Sequence, residues 1–145
     1  MTSDIAARPA GDISGDPMAV ARAILEAWDV RDFEAVLSLF AEDGVLHSMM
    51  IEPIVGRASI AARLARLGAA SHKTRLRIRH IGVIDGQVFV ERTDEITLNG
   101  QQTDVPVVGV FWIENGLVAS WREYYDRRQL LGAMGVVEDF DRSAR

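Results

Sequence analysis

The residues of this chain most suited to chemistry are an arginine and an aspartate, Arg92 and Asp94, on a predicted strand. Between residues 87 and 98 apolar and polar side chains alternate, which is the period of a half-buried strand. Arg92 and Asp94 occupy the apolar phase of that alternation, so the pattern predicts that both point inward. A buried charge is costly unless it is paired, so these two side chains are expected to compensate each other.

A third charged residue, Glu123, breaks the same pattern near the end of the chain. It alternates with Trp121 and Tyr125 on the inward face of the last predicted strand. In an antiparallel meander a strand over 101–113 lies between this strand and that of Asp94. Both carboxylates are therefore expected to face one cavity.

Two carboxylates and a guanidinium in an apolar pocket can transfer protons without a metal. A carboxyl whose pKa is raised by burial or by a like charge can act as general acid, while its partner, held ionised by Arg92, acts as general base. Gly109 on the middle strand leaves room for the group. The alternative is a buried salt-bridge network that only ties the strands together.

The elements that position these residues are predicted as an α+β fold, with helices on one face of a curved antiparallel sheet. Segment 1–16 is interpreted as a flexible arm, 17–135 as a single domain and 136–145 as a charged tail. The predicted elements are a helix from Pro17, a short helix capped by Asp32 that includes Phe40, a strand over 44–51, a helix over 57–70, strands over about 74–84, 87–98, 101–113 and 117–126, and a helix over 127–134.

Three dipeptides between these strands predict tight hairpins, because their residue types tolerate the positive φ angles such turns require. They are Asp85-Gly86, Asn99-Gly100 and Asn115-Gly116.

Composition excludes several functions. The 145 residues contain no cysteine, which excludes disulfides and thiol catalysis, and the formal net charge of -5 argues against nucleic acid as a partner. No apolar run is long enough to cross a bilayer, so a cytoplasmic protein without membrane contact is expected. Phosphate-binding loops, dinucleotide fingerprints and serine nucleophile motifs do not occur, which disfavours nucleotide and covalent chemistry.

The three histidines, His47, His72 and His80, lack the short spacings of a metal site, and no metal is predicted. His80 shares the apolar phase of its predicted strand with Leu76 and Ile78. We therefore expect His80 to be a core histidine held by a hydrogen bond.

Three segments resemble the limonene-1,2-epoxide hydrolase family: Phe89 to Asp94, Gly109 to Phe111 and Trp121 to Asp126. The resemblance runs from about Ala19 to Met134 and is most specific in the Arg-x-Asp strand. It implies the cone-shaped fold shared by nuclear transport factor 2, SnoaL-type polyketide cyclases and ketosteroid isomerase, a cystatin-like α+β roll.

In that family an Arg and an Asp two residues apart act with a second Asp to add water to an epoxide. The resemblance implies that Arg92 bridges both carboxylates, that Asp94 protonates the epoxide oxygen and that Glu123 activates the water. Glu123 departs from the pattern, since it is one methylene longer than the family's aspartate.

The family also places Tyr and Asn two apart on the first strand to hold the attacking water, where this chain has Leu46 and Ser48. Ser48 can hydrogen-bond and Leu46 cannot. A substrate hydroxyl could then replace water, or the carboxylates could move a proton on a carbon skeleton. A cyclase or isomerase therefore stays open, as does a non-catalytic ligand-binding module.

The expected ligand is a small apolar molecule, bound without a cofactor. The predicted substrate-binding residues are Leu25, Trp28, Leu46, Ser48, Leu67, Ile96, Val105, Val107, Trp121 and Tyr125. Members of this fold commonly form homodimers through the outer sheet face. The resemblance therefore implies a homodimer, with the alternating Arg75, Arg77 and Arg79 at or near its interface.

Overall fold

The computed structural model describes residues 15–136, which form four helices and six strands. Most of the predicted arm and tail lies outside this range. The elements are α1 (Pro17–Asp29), α2 (Phe33–Leu39), β1 (Phe40–Ser48), β2 (Ile54–Val55), α3 (Arg57–Gly68), β3 (Lys73–Ile84), β4 (Gln87–Leu98), β5 (Gln101–Glu114), β6 (Leu117–Tyr125) and α4 (Arg127–Ala133).

The strands form one curved sheet in the order β2-β1-β6-β5-β4-β3. Strands β3 to β6 are the predicted antiparallel meander, so β5 does separate β4 from β6. The predicted curved antiparallel sheet is confirmed, with one exception among its strand pairs, because β1 joins β6 in parallel. That pair brings the chain's first strand beside its last.

All three predicted hairpin turns are confirmed, since both residues of each dipeptide have positive φ. Such turns fix the strand register. The resulting register sets Arg92 opposite Val107, Asp94 opposite Val105, and Gly109 opposite Glu123.

The second helix is shorter than predicted. Asp32 caps it as expected, because its carboxylate accepts a 3.1 Å hydrogen bond from the amide of Ala35. The helix ends at Leu39, and Phe40 instead begins β1 with extended φ and ψ of -84° and 143°. Phe40 is fully buried and pairs with Val118. This apolar residue has helical spacing in the sequence but belongs to the sheet.

A β-bulge in β3 overturns the prediction of a core histidine. Ile78 lies opposite Arg92 and His80 opposite Glu91, so two steps on β3 match one step on β4 and Arg79 is the additional residue. The bulge turns His80 to the outer face, where its side chain is 77% exposed and lies 2.7 Å from a Glu91 carboxylate oxygen. Ile81 takes the inward position instead.

Two apolar clusters make up the core. The larger joins helices α1, α2 and α3 to the concave face of the sheet, and the smaller joins Ile96, Val105 and Val107 to residues of α4. None of the helices within residues 15–136 is long and apolar enough to cross a membrane.

The edge strand β3 is tied to helix α1 by Asp29. Its carboxylate accepts a 2.7 Å hydrogen bond from the amide of Leu76 and lies 3.3 Å from Nε of Arg75. Arg75 and Arg77 point outward as predicted, Arg77 pairing with Glu95. The homodimer through this outer face stays a prediction.

The two interactions of Asp29 should contribute unequally to the free energy of unfolding. D29A removes the partner of a backbone amide and should lower the free energy of unfolding by about 1–3 kcal/mol. R75A removes only an ion pair with a 64% exposed side chain and should change it by less than about 0.5 kcal/mol. Urea unfolding of both variants measures the difference; equal losses would contradict it.

Candidate active site

Arg92 lies between the two carboxylates, as the strand pattern predicts. Its Nε and Nη2 donate to the two oxygens of Asp94 over 2.7 and 3.1 Å. Its Nη1 donates to Oε2 of Glu123 over 2.9 Å, and Nη2 also donates to Oε1 of Glu123. The guanidinium is thus bidentate to both acids while its residue is only 3% exposed.

Trp121 completes the surroundings of Glu123. Its indole N–H donates to Oε2 over 2.7 Å, so Glu123 accepts bonds from three N–H groups where an ionised carboxylate has about four lone-pair positions. The ring of Trp121 is held by aromatic neighbours, with its centroid 5.3 Å from that of Trp28 and 4.8 Å from that of Phe111. The donor is therefore fixed in place.

Burial and neighbouring charges shift the pKa values of Glu123 and Arg92. Burial raises the pKa of Glu123, and the negative charge of Asp94 adds to that effect, while Arg92 and the Trp121 hydrogen bond oppose it. Burial by itself would lower the pKa of Arg92, but the two carboxylates outweigh it and raise that pKa well above its usual range. With Arg92 charged, a single proton shared by the two acids makes the group neutral.

Gly109 provides the space that the group occupies. A Cβ atom at this position would lie 2.6 Å from Oε2 of Glu123, 3.1 Å from Nη1 of Arg92 and 3.1 Å from Nε1 of Trp121. A side chain on β5 at this point cannot coexist with the observed hydrogen bonds. The predicted role of Gly109 in leaving room is confirmed.

The three charged residues open into a cavity of about 370 Å³, a size within the usual range of small-molecule sites. Eight of the predicted binding residues line it. They are Trp28, Leu46, Ser48, Leu67, Ile96, Val107, Trp121 and Tyr125.

Two of the predicted binding residues, Leu25 and Val105, are not among the residues that line the cavity. Leu25 is 2% exposed and packs in the larger core cluster. Val105 is completely buried and packs with Leu130 and other residues of α4. Both have the apolar character of wall residues but are covered by neighbouring elements.

Several lining residues were not predicted. Helix α4 contributes Leu130 and Leu131, and Met134 follows directly after it, although the expected part of this helix was only to close the domain. His72, in the connection between α3 and β3, is buried at the cavity wall, and burial together with the charge of Arg31 lowers its pKa. No sequence periodicity extends through that connection to indicate it.

Arg127 is the most informative of the missed residues. It is only 8% exposed, and its Nη1 donates over 2.8 Å to the hydroxyl of Tyr125, which lies 2.5 Å from the hydroxyl of Ser48. All three line the cavity. The alternation of Trp121, Glu123 and Tyr125 reaches Arg127 if it is continued past the end of the strand, and that continuation was the available signal.

A comparison with protein families matches residues 15–135 to the limonene-1,2-epoxide hydrolase catalytic domain. A curated relative, epoxide hydrolase EphG of Mycobacterium tuberculosis, is 30% identical over 105 residues, which are 72% of this chain and 69% of that protein.

Solved structures show the same fold. An LEH-like epoxide hydrolase from M. tuberculosis is 26% identical, with 79% of this chain and 86% of that chain covered and a TM-score of 0.69. An NTF2-like protein from Burkholderia pseudomallei is 20% identical, with 81% and 96% covered and a TM-score of 0.71. The α+β fold is therefore of the nuclear transport factor 2 and ketosteroid isomerase type, as the resemblance implied.

The space at Gly109 can be tested with a matched pair of strand glycines. G109A places a methyl group against Glu123, Arg92 and Trp121, and overpacking of this kind typically costs about 1–3 kcal/mol of unfolding free energy. G82A makes the same change on β3 where no atom lies within 4 Å, and should be nearly neutral. Thermal and urea unfolding compare them; a G109A protein as stable as G82A would contradict the packing described.

The raised pKa of Glu123 should appear as a pH-dependent stability difference between E123Q and the wild type. The stability that protonated Glu123 provides is present below its unfolded pKa, near 4.5, and is lost as pH rises through the higher folded pKa. Glutamine does not titrate, so the unfolding free energy of E123Q relative to the wild type should rise between pH 4 and pH 8. Urea unfolding at each pH measures it, and a constant or falling difference would show that the pKa is not raised.

Proposed function

Since this chain belongs to the limonene-1,2-epoxide hydrolase family, we propose that it adds water to a small apolar epoxide. In this proposal Glu123 is the general base, Asp94 the general acid and Arg92 the bridge between them. The observation that carries it is the buried guanidinium of Arg92, which is bonded to both carboxylates at the wall of the cavity.

The arrangement supports a balanced reaction. Three N–H groups point at Glu123 and two at Asp94. The donors at Glu123 oppose the effect of burial on its pKa, and the proposed cycle begins with the proton on Asp94. Glu123 takes a proton from water as the water oxygen bonds to one epoxide carbon. The bond from that carbon to the epoxide oxygen breaks, and the oxygen takes the proton of Asp94.

The product is a vicinal diol, and the cycle leaves the proton on Glu123 rather than on Asp94. Both acids bind the same guanidinium and face the cavity, so transfer back to Asp94 restores the starting state without a change of net charge. Burial supports the base role, because a carboxylate with a raised pKa binds a proton more strongly than an exposed glutamate. Exclusion of water around the group strengthens each of these interactions.

The length of Glu123 is compatible with this role. Its additional methylene, relative to the aspartate of the family pattern, does not separate it from Arg92, since both carboxylate oxygens accept from the guanidinium. The missing side chain of Gly109 accommodates the longer residue.

Asp94 can be tested by substitution with its amide. D94N retains the shape of the side chain but supplies no acidic proton, so turnover of a panel of cyclic terpene and aliphatic epoxides should fall by about a hundredfold or more. D104N makes the same change at an exposed position of β5 and should leave turnover intact. Undiminished activity of a folded D94N protein would contradict the role of Asp94.

Labelled water separates hydrolysis from the alternatives. Diol formed in ¹⁸O water should carry one labelled oxygen. An unlabelled rearranged product would instead indicate a cyclase or isomerase, which the absence of a hydroxyl at Leu46 leaves possible. Binding of apolar ligands without any conversion would indicate the non-catalytic module.

A further inference from the structure

We propose that His72 binds a second oxygen group of the substrate, an alcohol or ketone oxygen at the end remote from the epoxide. The inference rests on the proposed function and narrows its substrate class, from a small apolar epoxide to one with a polar far end. The observation that carries it is a buried imidazole at the cavity wall that has no hydrogen-bond partner among residues 15–136.

The burial of His72 leaves its hydrogen bonding incomplete. The residue is only 4% exposed, and a buried polar group without a partner is destabilising. Its ring nitrogens are nevertheless not sealed from solvent, because within the described residues Nε of Arg57 is the one completely buried side-chain nitrogen or oxygen without a partner. Since His72 lines the cavity, its open side is the cavity side. A ligand bound there can complete its hydrogen bonds.

The charge state of His72 favours an uncharged oxygen as that partner. Burial lowers the pKa of its imidazole, and the positive charge of Arg31 lowers it further, so the ring is neutral at pH 7. A neutral imidazole has one N–H donor and one acceptor nitrogen. It can donate to a ketone oxygen, and it can either donate to or accept from an alcohol. A carboxylate would gain most from a protonated ring, which both causes oppose.

The sheet sets the distance between this residue and the reacting end of the cavity. Leu76 pairs in register with Asp94, and Thr74 pairs with Ile96, and all four residues line the cavity. His72 lies four residues before Leu76, which at about 3.3 Å per residue places it about 13 Å along the wall from Asp94. An extended chain of about ten carbon atoms spans a distance of this size.

The wall between the two ends suits a hydrocarbon body. Leu76 and Ile96 line it from the sheet, and Leu67 and Leu130 line it from helices α3 and α4. Burial of apolar surface stabilises binding but has no direction, so it does not decide which end of the molecule reaches the acids. A hydrogen bond at His72 does decide it. His72 is therefore a specificity-determining residue that does not touch the reacting atoms.

The test measures kcat/KM for two ten-carbon epoxides that differ in one hydroxyl, 9,10-epoxydecan-1-ol and 1,2-epoxydecane. One net hydrogen bond corresponds to a preference of about three- to tenfold for the alcohol in the wild type. H72L should remove that preference, mainly by raising KM for the alcohol, whereas H72Q retains a donor and an acceptor and should keep part of it. Because the preference is a ratio measured on one protein, a general loss of activity does not affect it.

T74V is the matched control, because it removes a different hydrogen-bonding group from the same wall with little change of shape. It should retain the preference for the alcohol. A wild type without that preference, a preference that survives in H72L, or one that is lost in T74V would each overturn the assignment to His72.

A second measurement uses the wild type without turnover. In ¹⁵N NMR spectra decane-1,10-diol, with an oxygen at each end, should shift the ring-nitrogen signals of His72, and decane-1,2-diol should shift them less. The signals of His80, on the outer face of the sheet, should not move. Equal or absent shifts at His72 would overturn its role. A wild type that converts no epoxide while His72 responds to the diol would count against the proposed function alone.

Discussion

The shared guanidinium of Arg92 is the interaction on which the rest of the site depends. Removing a charged group of this size from water costs several kcal/mol, and only close, multiple hydrogen bonds to opposite charges offset that cost. Arg92 lies between Ile78 on one neighbouring strand and Val107 on the other, so its direct cross-strand neighbours are both apolar. Arg92 therefore needs both Asp94 and Glu123 to offset the cost of its burial, and its hydrogen bonds in turn hold both carboxylates in place.

That requirement extends outward through the sheet. Glu123 reaches Arg92 across β5, and the strand between them can carry no side chain where they meet, which is the position of Gly109. Trp121 satisfies Glu123 from the same strand, and its ring in turn needs Trp28 and Phe111 for packing. The charged residues and the aromatic cluster around Trp121 thus pack as one unit. A substitution at one of these positions is expected to disturb the others.

The sequence correctly predicted which side chains face inward where the strands are regular. It failed where the position of a side chain depends on packing against other elements. Strand β4 pairs with β5 without interruption, so the alternation correctly identified Arg92 and Asp94 as inward. In β3 one additional residue reversed the alternation, and His80 moved to the surface, since a bulge depends on the partner strand as well as on local residue types. Leu25 and Val105 are apolar and inward, but whether an inward residue reaches a cavity depends on what α1 and α4 cover.

The parallel pairing of β1 with β6 has a consequence for the order in which the protein folds. Ser48 and Tyr125 touch although 77 residues separate them, and β6 enters the sheet between two strands rather than at an edge. Contacts of such long range carry a large loop-closure entropy and form late in folding. Until β6 inserts, β1 and β5 expose unpaired edges, and Arg92 lacks one of its two carboxylates. Completion of the sheet and assembly of the site are therefore expected to be the same kinetic event.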